Sequence, residues 1–303
     1  MKADLIIPTY KPGEKFRKSL RRLAQQTRKP DRLIIINTEE TFFPEDLPSL
    51  YEGMEVYHIE KKDFDHGKTR DYGASLSDAD IIMFMTDDAI PKDQFLIENL
   101  LKSFENPSVS AAYGRQIADP KKNYIEYYTR IFNYPKESRI KTKEDLPTLG
   151  IKTFFCSNVC SAYRKEAYDA LGGFIHKTIF NEDMIMASKM IEAGMSIAYA
   201  ADAVVWHWHD YTAMEQLHRN FDLAVSQTDY GGLFLKVKSE SEGVKMVLST
   251  LKHLIRKKKI YLIPKYILDS GCKLIGYKLG RNYHRLPQWF IMKITMNPAY
   301  WES

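Results

Sequence analysis

Residues 81 to 85, IIMFM, are five consecutive apolar residues closed by Thr86 and two adjacent acids, Asp87 and Asp88. A strand without polar alternation has no face for water, so it has to be covered on both sides, as in a sheet layered with helices. The surrounding segments agree. "ADLIIPTY" reads as a first strand, ending at Pro8 where the ladder loses a donor, and "RLIIIN", "VYHIE" and "SVSAAYGRQIA" read as further strands. Between them, Glu14 to Gln26 sets Phe16, Leu20, Leu23 and Ala24 at helical spacing, and Asp93 to Phe104 reads as a second helix. Strands alternating with short helices predict an α/β fold built on a largely parallel sheet.

The stretch from Asp119 to Gly150, broken by Pro120, Pro135 and Pro147, reads as loop and short helix. "FFCSNVCSAYRKEAYDALGGF" reads as a strand and a short helix stopped by Gly172 and Gly173. "NEDMIMASKMIEAG" has the marks of a helix: Asn181 as cap, acids in the first turn, a stripe of Met184, Ala187, Met190 and Ile191, and Gly194 as stop. "MSIAYAADAVVWHWH" supplies one or two more strands, and from Tyr211 the pattern turns helical and basic.

Charge divides the chain further. Residues 242–303 hold twelve lysines and arginines against three acids, a net +9, so the rest carries −4 of the overall +5. Cys156, Cys160 and Cys272 are too few and too scattered for a disulfide framework or a four-thiolate zinc site, so reduced thiols are expected. No run approaches the roughly 18 to 20 apolar residues of a membrane span. Met1 to Asp4 leads straight into a strand without a secretion signal, and a cytoplasmic location is expected.

Ligands of open α/β sheets bind beyond the carboxyl ends of the strands, where "PTYK", "NTEE" and "TDDA" fall by chain order, as does the start of the "NED" helix. Adjacent Asp87 and Asp88 either hold a hard divalent cation, magnesium or manganese with a phosphate-bearing substrate, or merely end a strand and cap the next helix. His207 and His209 stand on alternate positions of a strand and so share a face. They read either as ligands for a metal or phosphate or as packing of an edge strand, with Asp210 able to orient a ring. Glu182 and Asp183 either complement a helix macrodipole or supply a carboxylate that takes a proton from a hydroxyl.

"IIPTYK", "IIIN", "FDHGKTRDYGA", "TDDAIP", "NED" with its terminal "AG", and "HWHDY" occur in an order that resembles family 2 glycosyltransferases, and among them the bacterial rhamnosyltransferase-like group. The resemblance covers roughly residues 3–215, with a weaker echo in the tail. It implies a GT-A-type nucleotide-diphospho-sugar transferase fold, a Rossmann-like, mostly parallel sheet covered by helices, over residues 1–215, with a basic, mainly helical C-terminal extension over 216–303. It also implies an inverting, metal-dependent transferase using Mg2+ or Mn2+. By the same resemblance Pro8, Thr9 and Tyr10 line the base pocket, with Asn37 and Thr38 where the family commonly has an aspartate. His66, Gly67 and Arg70 flank the nucleotide. Thr86 takes the place of the first acid of the metal motif, leaving Asp88 as metal ligand and Asp87 facing the ribose. Asp183 is implied as general base with Glu182 in support, His207 and His209 as completing the metal or diphosphate site, and Ser157 and Asn158 as acceptor contacts. The implied donor is dTDP-rhamnose, with UDP-hexose or UDP-N-acetylhexosamine as the alternative within the fold, and an inactive glycan-binding scaffold as the alternative of another class. The acceptor would be a cell-surface polysaccharide or a lipid-linked glycan.

The tail mixes apolar, aromatic and basic residues. It fits either an anionic membrane surface, with Trp289 or Phe290 as interfacial anchors on the inner face of the cell membrane, or a helical accessory domain with a solvated basic face. No nucleic-acid-binding motif accompanies it.

Overall fold

Ile81–Met85 is buried throughout and lies inside the sheet of the computed structural model, which describes residues 1–234 and 240–302. Nine strands are present among these residues: β1 (Ala3–Tyr10), β2 (Leu33–Thr38), β3 (Met54–Ile59), β4 (Ile81–Met85), β5 (Ile90–Pro91), β6 (Val109–Ile117), β7 (Arg139–Lys141), β8 (Cys160–Arg164) and β9 (Ser196–Trp206). Their order is β3-β2-β1-β4-β8-β6-β9-β5, with β7 also paired to β9. The helices that precede β9 are α1 (Glu14–Leu23), α2 (His66–Ser75), α3 (Leu96–Leu101), α4 (Tyr124–Asn133), α5 (Leu146–Leu149), α6 (Lys165–Ala170) and α7 (Glu182–Glu192). After it come α8 (Ala213–Asp229), α9 (Gly231–Phe234), α10 (Glu240–Arg256), α11 (Ile263–Arg281), α12 (Gln288–Ile294) and α13 (Ala299–Glu302).

The sheet is mixed. β1 to β4 are mutually parallel, and β6 and β9 run the same way, but β8 is inserted antiparallel between β4 and β6, and β5 and β7 run against β9. Pro8 does not end β1. The β4 ladder stops at Ile6↔Phe84, so at Pro8 the strand has β2 on one flank only, and the missing donor can face the open side. The last apolar stretch makes one strand with an irregularity. Gly114 opposes Ala200 and Arg115 opposes Val204, leaving Ala201 to Ala203 as a bulge, and a Cβ on Gly114 would lie 2.7 Å from the Ala203 carbonyl oxygen. Along α1, Phe16, Leu20 and Leu23 are buried at the spacing that the sequence suggests. α7 is buried over more than one stripe: Ile185, Met186 and Ser188 are covered as well, while Met184 is half-buried. Asn181 has φ +69° and gives its amide nitrogen to Ser226.

Contacts divide the chain into two units, and the division is not a single cut at 215. The first comprises Met1–Ile117, Tyr134–His176 and Glu182–His207; the second comprises Ala118–Asn133, Lys177–Asn181 and Trp208–Ser303. Thus α4, from the stretch expected as loop and short helix, belongs with the C-terminal helices. The expected region 216–303 includes 235–239 and Ser303, which lie outside the described residues. The first unit holds an apolar core of sheet and flanking helices, including Ile7, Ile35, Met83, Leu100 and Val205. The second has its own cluster of Ile179, Phe221, Val225, Ile291 and Ile294, against which Leu217, Phe290 and Trp301 pack.

Of the two candidate interfacial anchors, Phe290 is half-buried and packs in part against that cluster, whereas Trp289 is 63% exposed. No described helix is long and apolar enough to cross a membrane. α8 and α11 approach closely because α11 presents glycines. A Cβ on Gly276 would lie 2.1 Å from the Leu217 carbonyl oxygen, and one on Gly280 2.3 Å from that of Phe221. Gly276→Ala is expected to destabilise the second unit by about 1–3 kcal/mol, since the backbone itself has to move. Urea unfolding followed by circular dichroism checks this, with Gly271→Ala, where nothing lies within 4 Å, as the control, expected to stabilise by up to about 1 kcal/mol through helix propensity alone.

Candidate functional site

Strand direction decides which residues meet. β1, β2 and β4 end at one edge of the sheet, and antiparallel β8 begins there, with Met85 opposite Cys160. β6 and β9 also end at this edge, with Ile117 opposite Trp206. Thr9, Tyr10, Asn37, Thr38, Asp87, Asp88, Ser157, Asn158 and His207 are all at or just beyond these strand ends. α2 and α7 add their first turns, with His66, Gly67 and Arg70 from one and Glu182 and Asp183 from the other.

On the β1–β2 side, Tyr10 is 40% exposed and meets Phe42 edge to face at 5.9 Å, with Lys11 Nζ 4.3 Å from the Phe42 ring centroid. Pro8 is half-buried beside Thr9. Asn37 is fully buried. Its Nδ2 donates to the Glu39 carbonyl oxygen and lies 3.0 Å from His58 Nδ1, so Oδ1 is left as a buried acceptor without a partner, and Thr38 Oγ1 is in the same condition. Gly67 owes its identity to its own surroundings, since a Cβ there would lie 1.9 Å from the Ile175 carbonyl oxygen. His66 is half-buried and meets Phe64 edge to face at 5.2 Å.

At the end of β4 the two aspartates differ. Thr9 Oγ1 donates to Asp87 Oδ2 at 2.8 Å, and burial, reinforced by the charge of Asp88, pushes the Asp87 carboxyl above its ordinary pKa against that bond. Asp88 faces the other way, with Oδ1 3.4 Å from His207 Nε2 and Oδ2 3.8 Å from Lys15 Nζ. β9 stops at Trp206, so His207 and His209 do not alternate on a strand. The last rung is the His207 N–H donating to the Ile117 carbonyl oxygen, and beyond it the chain leaves the sheet. His207 is buried, and its Nδ1 meets Gln116 Oε1 at 2.8 Å while Gln116 Nε2 donates to Ser157 Oγ at 3.0 Å. With the amide so oriented, Gln116 Oε1 accepts from His207 Nδ1–H and leaves Nε2 on the Asp88 side, the arrangement of a histidine metal ligand with its outer hydrogen bond in place. An Asp88 carboxylate and this imidazole fit a divalent cation. His209 lies in the second unit, stacked on Tyr211.

At the head of α7, Glu182 Oε1 lies 3.2 Å from Arg70 Nη1 and accepts from Asn158 Nδ2 at 3.2 Å. Arg70 is itself buried and also donates to the His66 carbonyl oxygen. Burial opposes the Glu182 charge, and Arg70, His66 and the Asn158 amide outweigh it, holding its carboxyl below the ordinary value. Asp183 Oδ2 accepts from the Asn158 N–H at 3.0 Å and Oδ1 from the Met184 N–H at 2.8 Å. Burial first and the Glu182 charge second push the Asp183 carboxyl up to about 7, against these donors and Arg70. A carboxyl poised there accepts a proton readily, and about half of it is in the basic form at neutral pH.

The sequence reading did not name Gln116, His58, Phe42, Lys11 or Lys15. Gln116 carried a usable signal as a polar residue at the carboxyl end of a strand, the same criterion that picked out Asn37 and Asp87. Lys11, in "PTYK", and His58, near the end of the strand "VYHIE", carried the same signal, whereas Phe42 and Lys15 had none, because each is defined by a partner distant in the chain or by a loop.

Comparison with known proteins adds to this geometry. The sequence model of Glycosyl transferase family 2 matches residues 4–172. The chain is 39% identical over 311 aligned residues to the O-antigen chain rhamnosyltransferase RfbN of Salmonella typhimurium, covering 100% of this chain and 97% of that one. It is 36% identical to the O-antigen chain rhamnosyltransferase WbaN of Salmonella anatum, covering 99% and 95%. Both matches run through the tail, beyond the 3–215 of the sequence resemblance. Among solved structures, the Pyrobaculum calidifontis mannosyltransferase PcManGT, in complex with GDP-Man and Mn2+, superposes with TM-score 0.63 at 13% identity over 94% of this chain and 88% of that one. S. aureus TarS residues 1–349, in complex with UDP-GlcNAc, gives 0.54 at 13% identity over 94% and 92%. These two share the GT-A-type fold.

The Asp183 carboxyl should titrate near pH 7, and Glu182→Gln, by removing the neighbouring negative charge, should lower its midpoint by about one unit or more. Carboxyl-detected NMR titration of both proteins checks the direction.

Proposed function

We propose a donor, an acceptor and residue roles for this chain, which belongs to glycosyltransferase family 2: it transfers L-rhamnose from dTDP-rhamnose, with inversion, to a hydroxyl of an O-antigen-type polysaccharide built on a lipid-linked carrier. The observation that carries the reading is Asp183, a carboxyl raised to about 7 at the edge where the strands end, with both oxygens held by backbone N–H groups. The rhamnosyltransferase relatives, matched along the whole chain, support the sugar and the polymer.

In this reading Asp183 takes the proton of the acceptor hydroxyl as its oxygen bonds to the anomeric carbon. The bond from that carbon to the diphosphate oxygen breaks on the opposite face, and the electron pair leaves with the nucleoside diphosphate, so no covalent enzyme intermediate forms. Glu182 stays ionised beside Asp183 and keeps its basicity high. Asp88 and His207, with His209 two residues further along the chain, would hold Mg2+ or Mn2+, which when bound neutralises charge on the departing diphosphate. Asp87, tied to Thr9, faces the ribose. Pro8, Thr9 and Tyr10 line the base, with Phe42 beside Tyr10. The unpartnered Asn37 Oδ1 supports an imino N–H contact, because an amide keeps the acceptor oxygen that an aspartate would offer, and Thr38 lies next to it. His66, Gly67 and Arg70 flank the nucleotide, Arg70 through its pair with Glu182, and Ser157 faces the acceptor.

Calorimetry should show dTDP binding that strengthens with Mn2+ and a metal effect that disappears in Asp88→Ala. Equal affinity with and without metal in the wild type, or preference for UDP, would remove the metal or the donor from the reading, and absence of binding to either nucleotide would favour a scaffold.

The second unit carries the proposed membrane contact, on the inner face of the cell membrane. Val244, Leu248 and Ile255 on one stripe of α10, and Ile267, Leu268, Leu274 and Ile275 on one side of α11, are each more than half exposed. Lys245, Lys252, Arg256 and the run Lys257–Lys259 accompany them, each base worth about 1 kcal/mol at an anionic surface. The full chain should sediment with phosphatidylglycerol vesicles. Ile267→Ser/Leu268→Ser should reduce that several-fold, while equal sedimentation of the variant would leave these stripes as ordinary surface.

A further inference from the structure

The geometry assigns Asn158 a positioning role: it fixes Glu182 and Asp183 relative to each other and to the sheet, and it does not contact the acceptor. The inference rests on Asp183 being the base and replaces the acceptor contact implied by resemblance. Asn158 is 2% exposed, and its backbone N–H, its amide nitrogen and its amide oxygen are each engaged. Its N–H donates to Asp183 Oδ2 at 3.0 Å, its Nδ2 to Glu182 Oε1 at 3.2 Å, and its Oδ1 accepts from Ser161 Oγ at 2.7 Å and Tyr163 Oη at 2.9 Å.

The arrangement has one consistent polarity. An ionised Glu182 accepts only, so Nδ2 has to face it, and Oδ1 then takes both hydroxyl protons. Turning the amide over would set its oxygen against a carboxylate. Ser161 and Tyr163 stand two apart on β8 and so share a face, and both are fully buried. The strand thus grips the amide, and the amide grips the two carboxylates. Arg70 meets the same Glu182 oxygen from α2, so the Glu182 charge is held from both sides close to Asp183. The groups facing the pair among the described residues include Arg70 and His66 from α2, Asn158, Cys156 and Tyr163 from the β8 side, and the Met184 N–H from α7 itself.

The test uses the full chain in a transfer assay with dTDP-rhamnose and an acceptor glycan, with dTDP affinity measured for every variant. Ser161→Ala/Tyr163→Phe keeps the volume of the packing and removes both grips. It should leave donor affinity and donor KM within about twofold and lower kcat about tenfold or more. Asn158→Asp adds a third carboxylate. It should move the acidic limb of the kcat profile to higher pH, because a like charge raises the Asp183 pKa, and Asn158→Asp/Glu182→Gln should bring the limb back and recover part of kcat. An unchanged kcat in the Ser161/Tyr163 variant overturns the proposal, as does an Asn158→Asp that raises acceptor KM without moving the limb. Asp183→Asn separates the two levels. If it transfers at the wild-type rate, the base assignment itself fails; if it is inactive while the Ser161/Tyr163 variant is unaffected, the positioning role alone fails.

Discussion

β8 runs against both of its neighbours, and the site follows from that reversal. A parallel strand in this place would send its beginning to the far edge of the sheet. Because β8 is antiparallel to β4 and β6, the residues that precede it come out where those strands end, and Asn158 reaches the head of α7. The same reversal lays Ser161 and Tyr163 directly behind Asn158, so the framework of the sheet continues as hydrogen bonds into the carboxylate pair.

Two adjacent acids at a helix start would ordinarily share the favourable field of the helix and remain alike. Here their partners separate them. Arg70 and the Asn158 amide attach to Glu182, while Asp183 receives backbone N–H groups and bears the burial and the neighbouring charge. One acid is thereby kept ionised and the other poised near neutrality, an acid–base division made by environment and not by residue type. The Arg70–Glu182 pair is structural in the same stroke, since removing one member of a buried pair leaves an uncompensated charge at a cost of about 3–5 kcal/mol. Asp87 and Asp88 are divided in a similar way, one bonded to Thr9 and the other turned to His207.

Much of this was legible in the sequence. The apolar run of β4, the face of α1, the glycine stops after α6 and the order of the motifs pointed to the fold family, because each depends on local spacing or local backbone preference. Pro8 misled, since whether a proline ends a strand depends on whether a neighbour is present on its N–H side. The alternation argument for His207 and His209 falls short for a related reason: it holds only while the ladder lasts, and the ladder ends at Trp206. The middle segment gave no sign that α4 would join the C-terminal helices, because its partners, such as His253 stacked on Tyr128, lie more than a hundred residues away.

The sequence alone determined the kind of sheet residue that must be covered and which polar groups follow the apolar runs, because period and turn chemistry are properties of neighbours along the chain. The tertiary structure decided which of those groups meet. Glu182 and Asp183 are chemically near-equivalent in the sequence, and they become unequal only when Arg70, more than a hundred residues earlier, and Asn158, two dozen residues earlier, are folded against them. Burial and the placement of charge set a carboxyl's proton affinity, and both are properties of the assembled fold.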